Sequence, residues 1–125
     1  MKICIVGSRS ITDRNVVFNT IYKFLDEHGL LPAECVLLSG GANGVDSLVG
    51  EFARENGVDF VLFKPYHMLD NKAEFKTKYF FVRNRQMIDN ADEVLVIWDG
   101  KSRGAAHAKE YAEKCNKDVT TVIVQ

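Results

Sequence analysis

The stretch that decides the fold covers residues 37–46 and reads LLSGGANGVD. Its apolar start indicates the end of a buried strand, and three glycines in five positions indicate a turn that uses positive φ angles. Apolar residues then recur at helical spacing, at Val45, Leu48, Val49, Phe52 and Ala53. A helix therefore begins directly after the glycines, and its free N–H groups would attract phosphate or another anion. A tight connection without a ligand is the alternative interpretation, because glycine turns are common.

The composition is that of one globular domain spanning residues 1–125. The chain has 46% hydrophobic and 26% charged residues, and no apolar run is long enough to cross a bilayer. The first apolar stretch, residues 3–6, is too short for the core of a signal peptide, so we expect cytoplasmic residence. The net charge of −1 gives no global electrostatic reason to bind nucleic acid, which we therefore do not expect as a partner.

The three cysteines, Cys4, Cys35 and Cys115, lie far apart and form no CxxC pair. This spacing fits neither a disulfide framework nor a zinc site, so we expect them to serve packing. We expect no bound metal and no cofactor.

Strands and helices alternate along the chain. Apolar, β-branched runs predict strands at residues 2–6, 35–38, 59–63, 94–98 and 119–124. Helical periodicity predicts four helices. The first is capped by Thr12 or Asp13 and ends at Gly29, and the second covers residues 45–56. The third covers residues 79–91 with Val82, Met87 and Ile88 facing the core, and the fourth follows Gly104 with small residues on one face. Residues 66–79 are predicted to be a loop.

This alternation, with strands apolar on both faces, is typical of a parallel sheet covered by helices on both sides. The predicted fold class is α/β: a single Rossmann-like, three-layer domain with a parallel sheet of about five strands in the order 3-2-1-4-5. In that order the loops after strands one, two and four open on the same edge of the sheet.

The candidate ligand-binding residues lie on these three loops. Glycines and helix N-termini would hold phosphate, an arginine would pair with it, serines would donate hydrogen bonds and a tryptophan would stack on a ring. The residues are Gly7, Ser8 and Arg9; Ser39, Gly40, Gly41, Ala42, Asn43, Gly44 and Asp46; and Trp98, Asp99, Gly100, Ser102 and Gly104. A solvated Arg9 and a core Trp98 are the alternatives. The dinucleotide and Walker signatures are absent, which disfavours NAD binding and ATP hydrolysis.

The sequence resembles the SLOG superfamily, which includes the lysine-decarboxylase-like cytokinin-activating proteins and the DNA-processing protein DprA, and is most similar to its YspA-type branch. The resemblance rests on GSR at residues 7–9, SGGANGVD at 39–46, RNRQM at 83–87, AD at 91–92 and WDGKSRG at 98–104. It implies a Rossmann-like sheet that binds nucleotides or nucleotide-derived ligands, and it adds Arg83 and Asn84 to the site. It is also compatible with a homodimer.

In the phosphoribohydrolase branch of the superfamily, an arginine in the motif matching residues 83–87 works with a glutamate to cut an N-glycosidic bond. Here His107 stands where that glutamate is expected. Such hydrolysis needs a group that activates water, so Arg83 with Asp46 or Asp99 would be the catalytic residues. The alternative is that Asp46 favours its helix N-terminus and Asp99 makes a turn.

Three functions remain open. The first, which we favour, is a binding or sensor protein for a nucleotide or nucleotide-derived molecule. The second is an N-glycosidase that cleaves a nucleoside phosphate, and the third is DprA-like binding of single-stranded DNA. Lys72, Lys76 and Lys78, with Tyr66, His67 and Tyr79, form either a phosphate-recruiting lid or a solvated loop.

Overall fold

The computed structural model describes residues 1–65 and 77–124. Side chains are described for residues 1–65 and 78–124. Five parallel strands form one sheet: β1 (Lys2–Gly7), β2 (Val36–Ser39), β3 (Asp59–Leu62), β4 (Glu93–Trp98) and β5 (Asp118–Ile123). Their order is β3-β2-β1-β4-β5, so the predicted topology is confirmed. The register pairs Gly7 with Ile97 and Ser39 with Leu62, which aligns the carboxyl ends of the strands at one edge.

Four α-helices connect the strands within the described ranges: α1 (Arg14–Glu27), α2 (Val45–Asn56), α3 (Thr77–Asp89) and α4 (Arg103–Lys114). Asp13 caps α1, because its Oδ1 accepts hydrogen bonds from the N–H groups of Asn15 and Val16 at 3.0 and 3.3 Å. A 3-10 turn at Pro32–Glu34, which was not predicted, precedes β2. None of the helices in these ranges is long and apolar enough to span a membrane.

The central strands face two separate cores. On β1, Ile3 and Ile5 pack with residues of α1 and α2, whereas Cys4 and Val6 pack with residues of α3 and α4. Alternate side chains of a strand point to opposite faces, so this division confirms helices on both sides of the sheet. The edge strand β3 departs from the prediction, because Val61 and Leu62 remain more than 40% exposed.

The inward face of α3 differs from the prediction. Met87 and Ile88 are fully buried as expected, but Val82 is 46% exposed. Arg83 and Asn84 take the inward positions one turn before Met87 and Ile88, since residues four apart lie on the same helix face. A polar pair therefore sets the rotation of α3. Its first residue, Thr77, also precedes the predicted start at residue 79.

Two of the three cysteines occupy core positions. Cys4 and Cys35 are buried, in agreement with the predicted packing role, and Cys115 is half-buried at the end of α4. Burial raises the pKa of the Cys4 thiol far above its usual value, so this thiol stays protonated.

Candidate functional site

A pocket of about 510 Å³ opens at the carboxyl edge of the sheet, between the ends of β1 and β4 and the helices α2, α3 and α4. Nine predicted ligand-binding residues line it: Gly7, Arg9, Ala42, Asp46, Arg83, Asn84, Asp99, Ser102 and Gly104. Six further residues complete the wall: Val6, Ser10, Phe80, Phe81, Arg103 and Ala105. The structure therefore brings residues from all three predicted loops and from α3 into one concave site.

The other predicted ligand-binding residues do not line this pocket. They are Ser8, Ser39, Gly40, Gly41, Asn43, Gly44, Trp98 and Gly100. Most of them build the loops instead. Trp98, for example, donates its indole N–H to the carbonyl of Ser102 at 3.0 Å and packs against the core formed by α3 and α4.

The glycines of the second loop make room for protein atoms. A Cβ on Gly40 would lie 2.3 Å from the guanidinium of Arg83, and a Cβ on Gly44 would lie 2.5 Å from the carbonyl oxygen of Arg9. Gly44 also has a φ of 77°. The expected close approach of backbone therefore occurs, but the partners are an arginine and the neighbouring loop.

Ser8 connects the first and third loops of the site. It is 1% exposed, its Oγ accepts the N–H of Asp99 at 2.9 Å, and it shares a hydrogen bond of 2.8 Å with the Oγ of Ser102. Its carbonyl also accepts the N–H of Val45 at the start of α2. Ser8 thus holds the loops together from below the pocket.

We expect Ser8→Ala to lower the free energy of unfolding by about 1–3 kcal/mol, because the buried N–H of Asp99 and the hydroxyl of Ser102 would lose their partner. Chemical denaturation followed by circular dichroism measures this loss. Ser47→Ala, at an exposed position of α2, is the matched control and should change stability little. Equal losses in the two variants would contradict the role of Ser8.

Asp99 is committed to its own loop. Its Oδ1 accepts the N–H groups of Lys101 and Ser102, both at 2.8 Å, and its Oδ2 accepts the hydroxyl of Ser10 at 2.7 Å. These hydrogen bonds, that of Ser10 foremost, lower the pKa of the carboxyl far below its usual value. Asp99 is therefore a fixed anion that shapes the start of α4.

Arg83 is a buried cation at the back of the pocket. It is 5% exposed, its Nη1 donates to the carbonyl of Gly40 at 2.6 Å, and its Nε donates to Oδ1 of Asn84 at 2.8 Å. Burial lowers the pKa of the guanidinium, and the negative charge of Asp46 opposes that shift. Arg83 therefore both fastens the glycine loop to α3 and supplies positive charge to the pocket.

Asp46 is the buried anion of the site. It is 6% exposed on the first turn of α2, and its Oδ2 accepts the N–H of Ala42 at 3.2 Å. Burial raises the pKa of the carboxyl to about 6, although Arg83, the Ala42 N–H and Arg9 all favour the charged form. Asp46, Arg83 and Asp99, the three residues considered for catalysis, thus all line the same pocket.

Two aromatic residues of α3 were missing from the predicted site. Phe80 and Phe81 both line the pocket. The ring centre of Phe80 lies 5.2 Å from Cζ of Arg9 and 5.5 Å from Cζ of Arg83, so two cations contact one ring. The signal for them was in the sequence, because the aromatic pair directly precedes the RNRQM motif on the same helix.

His107, at the position where the resemblance places a glutamate, does not line the pocket. Its ring stacks against Phe81 with 4.3 Å between the ring centres, and its Nε2 lies 3.4 Å from Arg85. Burial, followed by the charge of Arg85, lowers the pKa of this imidazole. Phe81 therefore stands between His107 and the pocket.

The lid hypothesis concerns residues that are mostly undescribed. Tyr66, His67, Lys72 and Lys76 lie outside the described residues, whereas Lys78 and Tyr79 belong to the first turn of α3. Within residues 1–65 and 77–124, no three His, Cys, Asp or Glu side chains come close enough together to hold a metal ion.

The first part of the chain, which carries two of the three loops, identifies the family. The model of the YspA, cpYpsA-related SLOG family matches residues 1–67. The chain belongs to this family. The match is consistent with the structure, because this range contains Gly7, Arg9, Ala42 and Asp46 of the SLOG pocket wall.

Solved structures share this SLOG fold. DNA processing protein A from Streptococcus pneumoniae has a TM-score of 0.78 and 20% identity, and the match covers 99% of this chain and 50% of that one. DNA processing protein A from Helicobacter pylori, described for its single-stranded DNA binding mode, has a TM-score of 0.71 and 24% identity over 100% of this chain and 66% of that one. The structural-genomics target TM1055 has a TM-score of 0.65 and 23% identity over 94% of this chain and 71% of that one.

The SLOG chain thus spans about half the length of the Streptococcus protein. No curated protein matches its sequence significantly. At these identities the structural neighbours establish the Rossmann-like fold, which agrees with the predicted fold class.

The expectation that nucleic acid is not a partner is wrong. It is overturned by the similarity to two DNA processing proteins, one of them described for its single-stranded DNA binding mode. The net charge of −1 was misleading because it averages over the whole surface. Three arginines, Arg9, Arg83 and Arg103, line the pocket against two aspartates, so positive charge is concentrated at this edge.

Proposed function

We propose that this SLOG protein binds single-stranded DNA and holds one nucleotide of the strand in the edge pocket. The observation that carries the proposal is the contact of Phe80 with Arg9 and Arg83 on the pocket wall. Proteins that bind single strands combine positive charge along the backbone with aromatic rings on which bases stack. The proposal treats residues 1–125 as one nucleotide-binding domain.

The pocket offers a separate partner for each part of a nucleotide. Phe80 and Phe81 supply aromatic surface for a base. Arg9, which is exposed, and Arg103, on the first turn of α4, supply guanidinium groups for a phosphate. The N-terminus of α4 reaches the same pocket through Ser102 and Gly104, and its dipole favours negative charge.

The fold neighbours support DNA as the polymer. Two DNA processing proteins share the fold over 99% and 100% of this chain, and the Helicobacter protein is described for its single-stranded DNA binding mode. Because the chain spans only part of these proteins, the proposal concerns strand binding alone and not the activity of the longer proteins.

A free nucleotide is the second candidate ligand. The pocket volume of about 510 Å³ falls in the range of small-molecule sites, and the arginines and aromatic rings would serve a mononucleotide equally well. An N-glycosidase would use the same pocket, with Arg83 and Asp46 as its charged groups. Such an enzyme would release free base, which chromatography detects.

Fluorescence anisotropy with a labelled oligothymidylate of about twelve nucleotides tests the proposal. We expect Arg9→Ala to weaken binding about tenfold, because one charge-assisted contact is lost. The slope of log affinity against log salt concentration should also fall by about one, the value for one phosphate contact. Arg54→Ala removes an exposed arginine from the last turn of α2, outside the pocket, and is the control.

Equal affinities of wild type and Arg9→Ala would contradict the placement of the strand in this pocket. Displacement of the oligonucleotide by thymidine monophosphate at similar concentrations would favour the free nucleotide instead.

A further inference from the structure

The strand β5 lies at one edge of the sheet, and in the part of the chain that the structure describes its outer side has no partner strand. The N–H of Val124, the residue after β5, donates to the carbonyl of Trp98 at 2.8 Å, so Val124 directs its backbone groups towards β4. In a parallel pair both backbone groups of a residue point to the same side, and the side alternates along the strand. The N–H and C=O groups of Val119, Thr121 and Ile123 therefore point away from the sheet.

The two edges of the sheet differ in chemistry. The opposite edge strand, β3, has four residues, begins with Asp59 and is followed by Lys64 and Pro65. Short length, charge and proline are the devices that keep edge strands from pairing. The strand β5 has six residues, and residues 119–124, VTTVIV, carry neither charge nor proline. Ile123 is also 50% exposed, so this edge is a template for another strand.

The sequence of β5 is complementary to itself. If two copies pair in antiparallel orientation with Thr121 opposite Thr121, then Val119 of one copy lies opposite Ile123 of the other. Pairs of β-branched residues are among the cross-strand pairs that stabilise sheets. Asp118, the one charged residue of β5, lies opposite Val124 in this register, so pairing brings no like charges together.

A groove of about 430 Å³ beside β5 leaves apolar surface for a second copy. It lies between α1 and the strands β4 and β5, and its wall includes Phe24, Leu95, Thr120 and Val122. In the antiparallel register Thr120 of one copy lies opposite Val122 of the other. Side chains of the second copy therefore pack next to the groove, which extends the contact beyond the backbone hydrogen bonds.

We propose that β5 pairs with β5 of a second copy of this chain, in antiparallel orientation with Thr121 on the two-fold axis, and joins the two sheets into one. Val119, Thr121 and Ile123 exchange their outward backbone hydrogen bonds with the second copy. Two-fold dimers are the commonest closed assemblies, and this pairing removes the unprotected edge of both sheets.

The dimer contact and the SLOG pocket are separate surfaces. Among the described residues that line the pocket, none belongs to β5. Because the paired strands run in opposite directions, the pockets of the two copies open at opposite edges of the joined sheet. The inference therefore does not depend on the ligand of the pocket.

Sedimentation equilibrium of the wild-type protein at micromolar concentration tests the proposal, and we expect the mass of two chains. Ile123→Lys should reduce the mass to that of one chain, because it places a charge on the pairing edge at a residue that is half exposed. Val61→Lys makes the same kind of change on the opposite edge, at a residue that is 43% exposed, and should leave the dimer intact. Circular dichroism verifies that each variant is folded.

Cross-linking measures the orientation of the strands. In a Cys115→Ser background, Thr121→Cys places two thiols opposite each other at the axis, where a short bismaleimide should couple them. Asp118→Cys is the matched control, because antiparallel pairing separates its two copies by six residues along the strand, roughly 20 Å. Cys4 and Cys35 are buried and do not compete for the reagent.

A monomeric wild-type protein would overturn the proposal. A dimer that persists in Ile123→Lys, or that dissociates in Val61→Lys, would overturn it as well, because either result places the contact on another surface. Equal coupling at positions 118 and 121 would exclude the antiparallel pairing centred on Thr121.

Discussion

Gly44→Ala is expected to destabilise the protein by about 3 kcal/mol or more, the largest loss we expect from adding a single methyl group. Gly44 stands before α2 with φ 77° and ψ −129°, a conformation that residues with a side chain rarely adopt. Its Cβ would lie 2.5 Å from the carbonyl oxygen of Arg9 and 2.6 Å from that of Ser8. Both obstacles are backbone atoms, so the loops would have to separate.

Gly57→Ala is the matched control. Gly57 ends α2 with a left-handed φ of 64°, and a Cβ there would meet no atom within 4 Å. Only the conformational cost remains, which is about 1 kcal/mol. Urea denaturation of the two variants measures the difference, and equal losses would show that the contact between the first two loops is not tight.

Asp46→Asn is expected to stabilise the free protein at neutral pH, on the order of 2–3 kcal/mol. Burial raises the pKa of Asp46 from 3.8 to about 6, so the folded state binds this proton more tightly than the unfolded state. Stability therefore falls as pH rises from about 4 to about 6, because folding must then keep a buried negative charge. Asparagine carries no charge and still offers an oxygen to the Ala42 N–H.

The measurement is the free energy of unfolding as a function of pH. Between pH ~4 and ~6 the free energy of unfolding of the wild type should decline relative to that of Asp46→Asn. Above pH ~6 the difference between the two proteins should be constant. Asp26→Asn, at an exposed position of α1, controls for the general effect of removing an aspartate. A gap that does not change with pH would contradict the burial cost of the Asp46 carboxylate.

These two expected effects concern residues at the start of α2, but they have different physical causes. Gly44 permits the loops to meet, whereas Asp46 holds a charge that lowers the stability of the fold. A buried carboxylate that costs stability is typical of a functional site, which agrees with the position of Asp46 in the pocket wall.

The sequence by itself determined the architecture, because the architecture depends on local patterns that can be recognised without knowledge of the tertiary structure. Apolar β-branched runs alternate with helical periodicity, and a parallel sheet with right-handed crossovers leaves few topologies for that alternation. The order β3-β2-β1-β4-β5 and the meeting of three loops at one edge follow from it. The resemblance to the SLOG superfamily, which rests in part on the RNRQM motif, implied that Arg83 and Asn84 belong to the site, and both line the pocket.

Tertiary structure alone decided what each loop residue contacts. Gly40 faces the guanidinium of Arg83, and Ser8 lies beneath the pocket. The sequence pattern could not show this, because glycines and serines that pack one loop against another look the same in a sequence as those that contact a ligand. The rotation of α3 turned Val82 outward and placed Phe80 in the wall. Net charge could not show that arginines gather at this edge, since charge is summed along the chain but acts through distances in space.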